Sequence, residues 1–130
     1  LKKIDYFIAR RRTIAASYHK AFENMQHIGV PVKPQTLKSS WHLYIIQMDY
    51  ERLGKSRFSI MNKLYKQGIG TQVHYIPVHL QPYYRSKLGY KEGDYPIAEA
   101  YYSRTLSLPL YPKLTDADIE RVISSVKELF

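Results

Sequence analysis

The sequence contains no cysteine. Disulfides and thiolate metal sites are therefore excluded, and a reducing, cytoplasmic setting fits. No apolar run approaches the roughly 20 residues that a membrane-spanning helix needs. Charged residues follow Leu1 directly, so no secretory leader is expected here. Glycine is scarce, at 6 residues, and none of it forms a phosphate-cradling loop. Gly68-Ile69-Gly70 reads instead as a helix stop entering a strand. A Gly-x-Ser-x-Gly nucleophile elbow is also missing. Acidic side chains are short in one half: residues 1–66 hold 13 Lys/Arg against 4 Asp/Glu, whereas 67–130 hold 7 of each. The net charge of +9 thus sits on the first half. It could meet nucleic acid, an acidic partner or a phosphorylated ligand, or be a solvated helix face.

What is present is a core. Apolar residues make up 45 % of 130, enough for one folded domain. Tyrosine is abundant, at 13 residues, and its ring with a polar tip suits interfaces and carbohydrate or nucleotide pockets.

Apolar spacing predicts a helix over 1–25, with Leu1, Ile4, Ile8, Ala15, Tyr18, Phe22 and Met25 as its stripe and Arg11 interrupting it. The pattern is already running at Leu1 without an N-cap, which suggests a truncated chain. Gly29–Pro34 predicts a linker. Trp41–Tyr50 predicts a strand. Ser56 then caps a helix whose apolar side is Phe58, Met61, Leu64 and Tyr65, stopped by Gly68. Ile69–Ile76 predicts a second strand. A short turn of helix is expected near Gln81–Lys87. Pro96 opens another helix, with Ile97, Ala100 and Tyr101 inward. Ser107–Tyr111 is a short apolar stretch. Thr115–Asp118 is a capping box, with Asp in place of Glu, opening a helix with the stripe Ile119, Val122, Ile123, Val126 and Phe130. The expected fold is an α/β sandwich: a small antiparallel or mixed sheet of three to four strands packed by about four helices.

Side chains able to do chemistry concentrate in His74–Tyr84. Two imidazoles, three phenols and the Gln81 amide follow the end of a predicted strand, where α/β folds place ligand groups. Such groups hydrogen-bond sugar hydroxyls and phosphates. Alternatively, Tyr75 and Tyr83 pack in the core and the histidines cap backbone groups. No carboxylate stands at ligand spacing from His74 and His79, which argues against zinc. Arg10-Arg11-Arg12 is a phosphate-binding candidate, a solvated cluster, or a source of an Arg11 pair with a partner domain's acid.

The run Gly68-Ile69-Gly70-Thr71-Gln72-Val73-His74-Tyr75-Ile76-Pro77-Val78-His79 resembles the GI-x-T-x-x-HY-x-P-x-H signature of DegT/StrS-type sugar aminotransferases, which depend on pyridoxal phosphate (PLP). Three further blocks agree in order: Ser40–Tyr44, Pro96–Pro112 with its Ala98-Glu99 and Leu106-Ser107-Leu108-Pro109, and Thr115–Phe130. The likeness covers essentially the whole chain and is nearest to the enzymes that aminate a UDP-linked 4-keto-6-deoxy hexosamine toward pseudaminic acid.

The resemblance implies the C-terminal small domain of a fold-type I aminotransferase. Residues 1–28 would be the helix leading out of a large domain, and 29–130 the small domain. It implies PLP carried by that large domain, glutamate as amino donor, a nucleotide-sugar acceptor and a homodimer. The Schiff-base lysine of the family lies in a stretch without a counterpart here, so no catalytic, cofactor-binding or metal-ligating residue is expected in this chain, and the piece alone is expected to be inactive. His74, Tyr75, His79 and Tyr83 are carried over as substrate-binding residues that orient the sugar nucleotide. The competing class is a small basic nucleic-acid-binding domain. Against it, the charge lies on the first helix and linker, while the aromatics lie elsewhere.

Overall fold

The computed structural model describes residues 2–32 and 37–130. The elements run α1 (Ile4–Phe22), β1 (Ile28–Gly29), β2 (Tyr44–Met48), α2 (Arg57–Lys66), a 3-10 turn (Val78–Leu80), α3 (Pro82–Leu88), α4 (Pro96–Arg104), β3 (Thr105–Leu108) and α5 (Asp116–Lys127). The sheet is antiparallel, in the order β1-β2-β3. Among the described residues, three strands packed by five α-helices agree with the expected three to four strands and about four helices.

The pleat of β2 sorts its side chains. Tyr44, Ile46 and Met48 are buried, while Ile45 and Gln47 face the other way and stay half-exposed. Their buried face meets Ile14, Tyr18 and Phe22 of α1, Ile60 and Leu64 of α2, and Ile119, Val122 and Val126 of α5 in one core. Register pairs Ile46 with Leu106 and Tyr44 with Leu108, so β3 adds two more core residues. The Tyr18 ring lies 5.2 Å from that of Tyr44, and its hydroxyl donates to the Pro109 carbonyl at 2.9 Å.

α5 begins at the predicted capping box: Asp118 N–H donates to Thr115 Oγ1, and Thr115 N–H returns a bond to the Asp118 carboxylate. Its stripe is buried except at the end, where Leu129 and not Phe130 enters the core. α2 is capped by Ser56, whose Oγ accepts from Ser59 N–H. It stops at Gly68, whose φ of 76° and the paired bonds Gly68 N–H to Tyr65 O and Ile69 N–H to Leu64 O form a Schellman closure.

Several expected faces turn out differently. Phe58 (79 % exposed) and Tyr65 lie outside, because Ile60 and Leu64, four apart, take the inward stripe of α2. α1 ends at Phe22, and its first turns leave Ile4, Tyr6 and Phe7 exposed; Ile14 and Ala15 supply the burial instead. The predicted linker starts by joining the sheet, since Ile28 and Gly29 pair with Met48 and Gln47; its Lys33 and Pro34 lie outside the described residues. Neither Ile97 (87 % exposed) nor Tyr101 is buried, and α3 and α4 carry no buried residue. Among the described residues no helix is long and apolar enough to cross a membrane.

Candidate functional site

The predicted strand Ile69–Ile76 contracts to a single bridge. Gln72 and Ser107 exchange backbone bonds of 3.3 and 2.8 Å, and nothing else in the stretch joins a ladder. The register explains why. Continuing antiparallel from that pair sets His74 opposite Thr105 and Tyr75 opposite the last residue of α4, which offers no extended partner. The segment therefore leaves the sheet as an extended arm that carries its side chains into the open.

His74 stays near the sheet. Its Nδ1 lies 3.1 Å from Ser107 Oγ, and its ring stacks on that of Tyr75 at 4.9 Å. Tyr75 is 76 % exposed and packs in no core. Tyr83, in the first turn of α3, is also exposed, with its ring edge-on to Tyr84 at 5.5 Å.

His79 differs from all of these. It is buried, at 7 % exposure, in the 3-10 turn. Its Nε2 lies 2.8 Å from Glu99 Oε1 of α4, and its ring touches those of Tyr95 (4.7 Å) and Tyr90 (6.5 Å). The same carboxylate accepts the Gly93 N–H on both oxygens, at 3.0 and 2.9 Å, and the Tyr95 N–H at 3.2 Å. The Gly93 N–H first, and then His79, hold the Glu99 carboxyl below the usual carboxylate range. The Tyr95 phenol is pushed up by its hydrogen bond with Tyr90.

Beside His79 opens a cavity of about 400 Å³, walled by Pro77, Val78, Tyr84, Leu88, Tyr90 and Tyr95. Of the four expected site residues, His79 reaches this cavity, His74 and Tyr75 form a stacked pair on the preceding arm, and Tyr83 lies outside the wall while its neighbour Tyr84 is in it. Glu99, Tyr90, Tyr95 and Ser107 were not singled out by sequence. Glu99 and Ser107 did fall inside the matched Pro96–Pro112 block. Tyr90 and Tyr95 flank a Gly-Asp pair in a loop and carried no signal.

The triple arginine proves to be an internal tie. Arg10 donates to Leu114 O (2.6 Å) and Asp116 (2.7 Å), Arg11 to Trp41 O and His42 O (3.1 and 2.9 Å), and Arg12 to Ser39 O (2.9 Å). Arg10 and Arg11 are half-buried in these bonds, while Arg12 stays exposed. The Arg11 and Ser39 bonds also steady Trp41, whose φ of 49° is uncommon for a bulky residue. A groove of about 460 Å³ runs between α1 and residues 37–41, away from the histidine arm. Among the described residues no three His, Asp or Glu side chains converge to hold a metal ion.

Comparison with known proteins agrees with the motif. The DegT/DnrJ/EryC1/StrS aminotransferase family matches residues 1–127. The spore coat polysaccharide biosynthesis protein SpsC of Bacillus subtilis is 42 % identical over 99 % of this chain and 33 % of its own. PseC of Helicobacter pylori, an aminotransferase of pseudaminic acid biosynthesis, superposes with a TM-score of 0.89 at 28 % identity, over 100 % of this chain and 34 % of its own. DesV of S. venezuelae, solved with a ketimine intermediate, gives 0.87 at 33 % identity, over 98 % and 33 %. The chain thus spans about a third of the length of its relatives.

Proposed function

Since the chain belongs to the DegT/DnrJ/EryC1/StrS aminotransferase family, we propose that it forms the substrate-side wall of a sugar transaminase. The intact protein moves an amino group from glutamate to a nucleotide-linked 4-keto-6-deoxy sugar. Residues 1–28 lead out of a large domain and 29–130 form the small one, in a cytoplasmic homodimer. His74, Tyr75, His79 and Tyr83 orient the sugar nucleotide. The observation that carries this is the arm: an open row of imidazole and phenol rings leaves the sheet at Gln72 and ends at an aromatic cavity, within a chain that matches the family nearly end to end.

Pyridoxal phosphate is the cofactor of this family, and it draws electrons from the bound substrate while the amino group moves. The aromatic cavity offers no amine for its attachment. Lys55 and Lys63 donate to the Leu129 and Glu128 carbonyls, and no lysine lines the aromatic cavity. The family match disfavours a nucleic-acid-binding module, and the three arginines that would feed such a surface are tied to carbonyls.

The test uses the intact protein with PLP, glutamate and a UDP-4-keto-6-deoxy hexosamine, with the aminated sugar read by mass spectrometry. Amine should form, and H74A and Y75A should raise KM for the sugar nucleotide about tenfold with a smaller change in kcat. No amine from any keto-sugar nucleotide, or an unmoved KM, would sink the proposal. The 130-residue chain alone should give no transamination with added PLP.

A further inference from the structure

One carboxylate organises the cavity wall. Glu99 gathers His79 Nε2, the Gly93 N–H and the Tyr95 N–H, and so joins the 3-10 turn, the 89–95 loop and α4. That loop has no strand or helix of its own; apart from Glu99 it is braced by Asp94, whose N–H reaches Lys91 O (3.3 Å) and whose carboxylate takes the Lys91 N–H (2.9 Å). The rings of Tyr90 and Tyr95 on this loop form part of the cavity wall. Two backbone donors on Glu99 are satisfied only by an ionised or acceptor-facing carboxyl, and an ionised carboxylate has no proton to give. The hydrogen between Glu99 and His79 therefore belongs to His79 Nε2. In a neutral imidazole the other nitrogen is then an acceptor. Among the described residues Nδ1 has no hydrogen-bond partner, and His79 is one of the residues that line the cavity.

We infer that Glu99 is a positioning residue that fixes His79 as the Nε2–H tautomer and so equips the cavity to accept a hydrogen bond from a hydroxyl of its occupant. The inference rests on the substrate-wall proposal for the identity of that occupant, a sugar. It narrows it as well: a phosphate oxygen has no hydrogen to offer Nδ1 and would lie close to the Glu99 charge, so the phosphates of a nucleotide sugar belong elsewhere. Glu99 also holds the loop that closes the wall. Without it, the Gly93 and Tyr95 N–H groups lose their acceptor on α4.

Two readouts on the intact protein follow the clamp itself. Nitrogen-15 spectra of labelled histidine at pH 8 should show His79 with Nε2 protonated and Nδ1 bare. In E99A Nε2 loses its acceptor, and the single tautomer should give way to a mixture of both. Hydrogen exchange of a peptide spanning Gly93–Tyr95 should speed up at least tenfold in E99A, while α5 is unchanged. H79Q, whose amide can replace Nε2–H toward Glu99 but brings no Nδ1, should keep that exchange slow. An Nδ1–H or doubly protonated ring in the unaltered protein, or unchanged exchange in E99A, would overturn the role of Glu99. KM reads the occupant separately. E99A and H79Q should each raise KM for the sugar nucleotide about tenfold with kcat held within about twofold. An unmoved KM beside the expected spectra and exchange overturns the hydroxyl-recognition step while the clamp stands, and H74A and Y75A judge the wall separately.

Discussion

Two tyrosines in the same aromatic cluster differ in one bond, and that bond decides what their hydroxyls are worth. Tyr18 and Tyr44 are both fully buried, and burial pushes both phenols well above their ordinary value. Tyr18 donates to Pro109 O, whereas Tyr44 Oη has no partner. A satisfied buried hydroxyl contributes about 1 kcal/mol, and an unsatisfied one costs stability. Y18F should therefore lower the urea midpoint by the equivalent of about 1 kcal/mol. Y44F should leave it level or raise it; a loss as large as that of Y18F would mean that Tyr44 Oη is bonded after all. Tyr50 is a third case, its phenol pushed up to about 12 by burial despite the nearby Arg57. A raised folded-state value means that stability is complete below about pH 10 and falls as pH climbs from there toward 12. Y50F should flatten that alkaline decline in a series of denaturation curves.

At the scale of elements, local chemistry that satisfied itself was legible and chemistry that needed a partner was not. α5 announced both its start and its face because the Thr115–Asp118 box and a continuous apolar stripe agree. Thr115 holds the Asp118 carboxyl below its ordinary value, so the box contributes above the unfolded carboxylate range and is lost as pH falls through and below it. T115A should cost about 1 kcal/mol at pH 7. The gap between the two proteins should narrow toward pH 2; a constant gap would assign the effect to something other than the cap. The stop of α2 was equally readable. A Cβ at Gly68 would meet nothing within 4 Å, so the cost of G68A, about 1 kcal/mol, comes from its φ of 76° alone. Where reading failed, a neighbour decided. Phe58 and Ile60 are both apolar, and only the position of the sheet selects Ile60. Ile69–Ile76 alternates like a strand, yet a four-residue β3 cannot pair its whole length. His74, Tyr75 and His79 stand out in the sequence because imidazole and phenol are distinctive residue types. Glu99 escaped because its three donors come from residues 79, 93 and 95, and no spacing rule links them.

Across the whole molecule, burial and charge divide α1 into two halves with different support. From Arg10 onward the helix is anchored: the arginines reach Leu114, Trp41, His42 and Ser39, and Ile14, Ala15, Tyr18 and Phe22 enter the core. Before Arg10, among the described residues, nothing is buried, and Ile4, Tyr6 and Phe7 stay exposed. Local opening follows buried apolar contact, so protection should be graded along a single helix. In the 130-residue chain, hydrogen exchange should be fast over Asp5–Ala9 and slow over Ala15–Phe22. R11A should accelerate exchange at Trp41–Leu43, because it releases the two carbonyls that hold the entry to β2. In the intact protein the proposed large domain would continue or cover this end, and the first turns should then match the second half. Equal protection along α1 in the isolated chain would show that its start needs no such neighbour, and would remove the physical case for reading 1–28 as a connecting helix. A first turn that stays fast in the intact protein would place the exposed face of Ile4 and Phe7 in solvent and assign the junction to another part of the chain.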